Sequence, residues 1–391
     1  MRAACALLLV SACGGGRHVD LPASEPVVPD AGVVAVADAA PAPAPPRRID
    51  GGTIAVTILP APAYIEVADH AQLVNCDLIV KNSSPVAFTL GEIEVSVFDR
   101  AGTLVFRKFV SGNGVSPALH TVPDRELAGG AQALILNPLH TFPRELELAK
   151  LRFTVTYERT AGDQTLTATT EIAPREHTSK TRLVLPLRER MIAWSGHDFL
   201  SHHRRWNYLD LRLAAFGFDS NPGRYSYDFI PVDAKGEMRR GDPAKNESWF
   251  GFGRPVLAPG AGTIVALASD RPDNREFDIA GLKADLSLLY GNYIVIAHAP
   301  GEHSLLAHLA QHSVKVKVGD RVRAGQPIAA VGASGSSLMP HLHYQLQTTA
   351  TPHAEGLPAY FHDFVKLRGA RRTVARGHVD TGELVESRAP R

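Results

Sequence analysis

The chain has 391 residues, long enough for two or three domains, each with a core of its own. Its formal net charge is +1 with acidic and basic residues well mixed, which argues against nucleic acid as the main partner. Only three cysteines occur, Cys5, Cys13 and Cys76, with no CxxC pair, so a metal site would have to use histidine and carboxylate.

In chain order, the first element is MRAACALLLVSACGGGR. One arginine precedes a short apolar run, Ala3 to Val10, and then small residues, the layout of a secretory signal over 1–12. The run is too short to span a bilayer as a permanent helix. The tetrapeptide VSAC resembles a bacterial lipobox, and that resemblance implies a lipidated Cys13 anchoring the mature chain to a membrane. Gly14, rather than an aspartate, follows it, which points to the outer membrane, facing the periplasm of the cell envelope. Cys5 would leave with the signal, so Cys76 would have no partner for an intramolecular disulfide. Residues 13–50 are rich in Ala, Pro, Val and Asp without amphipathic period, and read as a disordered, semi-rigid tether.

The fold class expected after the tether is all-β. From 51 to 186, alternating stretches such as TIAVTIL, AQLVNCDLIVKN, EIEVSVFD, TLVFRKFV, KLRFTVTYER and TLTATTEIA are separated by turn signals. That spacing predicts an antiparallel β-sandwich (Ig-like), with Cys76 buried in one of its strands. No chemistry is visible there. The expected role is a spacer or a contact surface for a protein partner. From 187 to 371 a second β domain follows, with GRPVLAPGAGTIV, GNYIVIAH, AHL and the glycine-bent hairpin VKVKVGDRVRAGQPIAAVG, and 372–391 reads as a C-terminal tail.

The segment PHLHYQLQ carries His341 and His343. On a strand, residues i and i+2 face the same side, so both imidazoles would aim into one space. Such a pair suits a metal site, or one ligand beside one catalytic imidazole.

The ordered blocks YDF, GRPVLAPGAGTIV, GNYIVIAH, AHL, VKVGDRVRAGQPIAAVGASG and PHLHYQL resemble the M23 peptidase family, the lysostaphin-like or LytM zinc endopeptidases that cut peptide cross-links of peptidoglycan. The resemblance covers about two-fifths of the chain, residues 200–370. The VKVGDRVRAGQPI block also resembles biotinyl and lipoyl carrier domains. Those present a lysine at the next turn, where this chain has ASGSSLMP. The M23 resemblance implies a Zn²⁺ cofactor held by Asp228 and His343, with His308 and His341 as the catalytic pair. It also implies peptidoglycan peptides as substrate. Three protein ligands leave a fourth position for water. The order of roles between His308 and His341 stays open.

One position departs from the family pattern. Four residues before Asp228 stands Arg224, which stays protonated and cannot ligate zinc. The SHHRR segment upstream offers His203, with His202 second, as the replacement ligand. If neither serves, the resemblance implies the alternative: an inactive M23-like lipoprotein that binds and activates a cell-wall amidase. His298, His303 and His312 are expected at strand ends or in exposed turns, Tyr293 in the core or on the rim. The polar loop 233–248 is expected to rim the groove.

Overall fold

The computed structural model describes residues 47–388 other than 51, 69, 160–163 and 277. The signal, Cys13 and most of the tether lie outside the described residues. The all-β expectation is met: among the described residues the only α-helix is the single turn Leu211–Ala214. None there is long and apolar enough to cross a membrane.

The N-terminal half is a two-layer β-sandwich. One sheet runs, in spatial order, Arg47–Asp50, Gln164–Ile172, Lys150–Arg159, Phe88–Phe98 and Leu104–Ser111, with Glu126–Leu127 beside Phe88–Phe98. Its pairs are antiparallel except the first, which is parallel. Residues 47–50, expected as the end of the tether, are thus a strand. The other layer is three strands, each interrupted midway, Ile54–Leu59 and Tyr64–Val67, Ala71–Val74 and Asp77–Asn82, Gln132–Leu136 and Thr141–Pro143, with the short Arg175–Glu176 added in parallel beside Tyr64–Val67. Strict alternation sends Val56, Leu78, Val80 and Ile135 of this layer against Ile93, Val95, Phe153 and Val155 of the first, forming one core. AQLVNCDLIVKN, read as one strand, is two. Asn75 and Cys76 sit in the break, beside Asp77 at the start of the second strand, and all three are fully buried.

Leu183, Leu185 and Leu187 leave the sandwich and already belong to a second core. Tyr64, from the sandwich, also packs against that core. The second domain is built on an 11-stranded sheet, with a separate two-stranded pair, Pro255–Leu257 and Pro327–Ala330. At its centre Asn292–Ala299, Glu302–Leu309, Leu342–Gln347, Tyr227–Pro231 and Met191–Ser195 lie side by side and antiparallel. Phe361–Arg368, Ala370–Gly377 and Leu384–Ser387 extend the same sheet. The stretch expected as a tail from 372 is therefore strand: Val385 is in the core, and Lys366 pairs with Glu383 at 2.8 Å.

The central strands have two chemically different faces. Tyr227, Phe229, Leu342, Tyr344 and Leu346 point into the core. Asp228, His341, His343 and Gln345, at the alternate positions, share the other face. VKVKV, expected as a hairpin arm, is not a strand, although Gly319 and Gly325 do take positive φ at the two bends.

Candidate metal centre

Cross-strand register fixes the heart of the site: Asp228 lies directly opposite His343, and His343 opposite Ala307, one residue before His308. Asp228 is 4% exposed, and its carboxylate is ringed by imidazoles. His343 Nδ1 is 3.1 Å and His341 Nε2 is 3.3 Å from Asp228 Oδ1. His203 Nε2 stands 3.6 Å from Oδ1, and His202 Nε2 3.6 Å from Oδ2. One ligand atom from each of His202, His203 and Asp228 falls within 4.8 Å of the others. The side chain of His203 is 16% exposed against 63% for His202, so His203 is the one built into the wall.

His308 and His341 complete the cluster, their ring centroids 4.7 Å apart. The Nδ1–H of His308 donates to the carbonyl of Ser334 at 2.8 Å, and that of His341 to Met339 O at 2.7 Å. A carbonyl only accepts, so each ring carries its proton on Nδ1 and turns its Nε2 edge to other partners. His308 holds a φ of +59°, a left-handed conformation rare outside glycine and concentrated at functional sites.

The electrostatics follow from burial. By itself burial would raise the pKa of Asp228. The neighbouring imidazoles, His203 and His341 first, with hydrogen bonds from His341 and His343, outweigh it and hold the carboxyl well below its usual range. Burial keeps His203 well below the ordinary imidazole value, so it is neutral at physiological pH, the form that ligates. His308 is depressed by burial and then by His341 and His343. Burial pulls His341 the other way from its final position: the charge and hydrogen bond of Asp228 raise it above 6.5.

These residues fit a divalent metal. A buried carboxylate and neutral imidazoles are the donor set zinc prefers when cysteine is absent. Among the described residues, both ring nitrogens of His203 lack a hydrogen-bond partner: Nε2 stands 3.6 Å from Asp228 Oδ1, beyond hydrogen-bond distance, and Nδ1 is buried and unpartnered. A metal against this ring would occupy an edge that no group of the described residues satisfies.

Arg224 is far from ligand duty. It is 1% exposed and its guanidinium is spent on Asp77 Oδ2 at 2.6 Å and Glu355 Oε1 at 3.2 Å. A groove of about 620 Å³ opens from the cluster. His202, His203, His308 and His343 line one side, and Trp206, Leu213, Phe216, Ile279, Leu282 and Leu289 give it an apolar wall. Tyr290 and Asn221 also line it; sequence pattern did not single them out, although Asn-Pro-Gly at 221–223 is a turn signal. No residue of the 233–248 loop does so; Asn246 instead bonds the Asp273 carbonyl. Tyr293 packs on Tyr290 outside the groove, and His298 bonds Ala261 O and Ser304 Oγ.

A carboxylate set among imidazoles on one face of a β-sheet stands beside an open groove. Residues 250–354 match the model described as Peptidase family M23, and the chain carries a domain of that family. The match includes His308, His341 and His343 but begins after Asp228 and His203. The chain is 35% identical over 121 residues to the murein hydrolase activator EnvC of Escherichia coli, covering 30% of this chain and 26% of that protein. It is 41% identical over 63 residues to the DD-carboxypeptidase/endopeptidase Mpg of Neisseria meningitidis, covering 16% and 14%. It is also 30% identical over 122 residues to the peptidoglycan DD-endopeptidase ShyC of Vibrio cholerae, covering 31% and 26%. The chain thus spans about a quarter or less of these relatives. Among solved structures, the catalytic domain of lysostaphin from Staphylococcus simulans is similar at 20% identity and a TM-score of 0.23, covering 43% of this chain and 88% of that one.

Proposed function

We propose that this protein is a zinc-dependent endopeptidase acting on the peptide cross-links of peptidoglycan. The observation that carries the reading is the buried Asp228 carboxylate with His203, His341 and His343 around it and His308 adjoining. Asp228, His203 and His343 would hold the metal. Zinc bound there supplies a Lewis acid for a peptide carbonyl and lowers the pKa of a water toward neutrality. His308 and His341 present Nε2 edges to the same space, so one can take a proton from the attacking water. The other can donate to the oxygen that gains negative charge. Carbonyl bonds at Nδ1 keep both rings from turning. Lipidation at Cys13 and a tether would let the domain reach the wall from a membrane, which places it in the cell envelope.

The likeness to an activator supports a second reading, in which the groove binds a cell-wall amidase and cuts nothing. One set of assays separates the two. The full chain is expected to carry about one zinc, lost in Asp228→Ala and in His203→Ala. It should release peptides from isolated peptidoglycan, and His308→Gln should abolish release while leaving the zinc in place. A chain that holds no zinc, releases nothing and raises the rate of an added amidase would overturn the peptidase reading in favour of the activator.

A further inference from the structure

The sandwich reaches the loop that carries His203. At the break in its second layer, Asp77 is fully buried and holds two arginines of the other domain, with the Tyr208 hydroxyl also donating to its Oδ2 at 3.3 Å. Oδ1 accepts from Arg204 Nη1 at 2.7 Å, and Oδ2 from Arg224 Nη1 at 2.6 Å. The remaining donors of Arg204 go to the neighbours of Asp77: Nε to Asn75 Oδ1 and Nη2 to the Cys76 carbonyl, both at 3.0 Å. Asn75 is itself held by Glu66 Oε1 at 2.6 Å. Cys76 O is free to accept because the strand is interrupted there. One guanidinium is therefore locked onto three consecutive residues of the sandwich, with no solvent access on either side.

Arg204 directly follows His203. The segment that carries them, 196–226, has only the one helical turn to stiffen it. Asn221 also holds this point, its Nδ2 donating to the carbonyls of His203 at 2.8 Å and Arg204 at 3.4 Å. A ligand on such a loop takes its position from whatever ties the loop down. The same carboxylate also draws Arg224 into the interface, four residues ahead of Asp228.

We propose that Asp77 is a positioning residue for the metal centre: through Arg204 the sandwich sets His203 against Asp228, and the site is complete only with the sandwich docked. This rests on the reading of His203 as a metal ligand. It gives the sandwich a function beyond a spacer, and it predicts that the second domain alone is a poor zinc binder.

The test measures zinc affinity of the full chain by competition with a chromophoric chelator, alongside the visible spectrum of the cobalt-substituted protein. The variants are Asp77→Asn, Arg204→Lys, His203→Ala and the double variant Asp77→Asn/His203→Ala. Val95→Ala, an apolar change in the sandwich core that removes no partner of Arg204, is the control for lost stability alone. Asp77→Asn and Arg204→Lys are expected to weaken zinc at least tenfold and to alter the cobalt spectrum. Val95→Ala should stay within about twofold of wild type. The double variant should bind no more weakly than His203→Ala, because the anchor acts through that ligand. Wild-type affinity in folded Asp77→Asn and Arg204→Lys overturns the proposal. So does equal loss in Val95→Ala, and so does a further loss in the double variant. A wild-type chain without zinc, or one unaffected by His203→Ala, removes the ligand reading beneath it.

Discussion

Arg224 is the residue at which the pattern of the family and the packing of this chain diverge. A histidine would be expected four residues before Asp228. The arginine there is instead fully buried, and in this setting burial is countered by Asp77 and then Glu355, which hold its pKa well above the ordinary guanidinium value. Replacing it with the family's residue would leave Asp77 and Glu355 short of a cation and place an imidazole in the interface. Arg224→His is therefore expected to gain no zinc affinity and to lower unfolding free energy by about 3 kcal/mol, read by urea denaturation with a zinc titration beside it. A tighter zinc site in that variant would mean that position 224 can still reach the metal.

At the scale of elements, the site depends on three strands and the turns that follow them. His308 is steadied by the Ser334 carbonyl, and Ser334 belongs to a turn pressed against Gly291. Gly291 has φ +60°, and a Cβ there would stand 2.4 Å from the Ser334 carbonyl carbon. Gly291→Ala should displace that carbonyl, free the His308 ring and reduce peptide release about a hundredfold, while zinc content, which does not depend on His308, stays near wild type. Metal analysis and activity on the same preparation check both halves. Unchanged turnover would mean that the hold on His308 is dispensable.

The sheet face that carries these groups was legible in the sequence, because alternate residues of YDFIP and LHYQLQ must part into an apolar and a polar set. So were six strands of the sandwich. Among the features that were not legible are the interruption at Asn75–Cys76, the strands 47–50, 64–67, 132–136 and 141–143, the strands beyond residue 370 and the loss of the VKVKV arm. Each depends on a partner from elsewhere in the chain. Ala370–Gly377 is mostly exposed and reads as polar tail, yet it pairs along its length with Phe361–Arg368.

At the scale of the whole molecule, the two domains share a buried ionic network that should make acid stability informative. Burial opposes ionisation of Asp77, but Arg204 and Arg224 more than compensate, so its folded pKa lies below the usual 3.8. A depressed carboxylate pKa contributes stability that is fully present above the unfolded value. That stability is lost as pH falls through 3.8 toward the folded value. Unfolding free energy measured from pH 7 down to pH 2.5 should fall steeply at the acid end. Asp77→Asn should be less stable at pH 7 by about 3–5 kcal/mol and show a shallower decline. Parallel curves would show that Asp77 titrates alike in both states.

The sequence by itself determined the two β domains, the shared face of His341 and His343, and the absence of a ligand at 224. These follow from period-two alternation, ordered motifs and side-chain chemistry, all of which act over a few residues. Only the tertiary structure decided that His203 is more buried than His202 and that the sandwich grips the loop bearing it. The contact responsible joins Asp77 to Arg204 across 127 positions of chain, with both groups buried. A charge pair of that separation leaves no periodic trace, because it is selected by the docking of two finished domains rather than by the conformation of either segment.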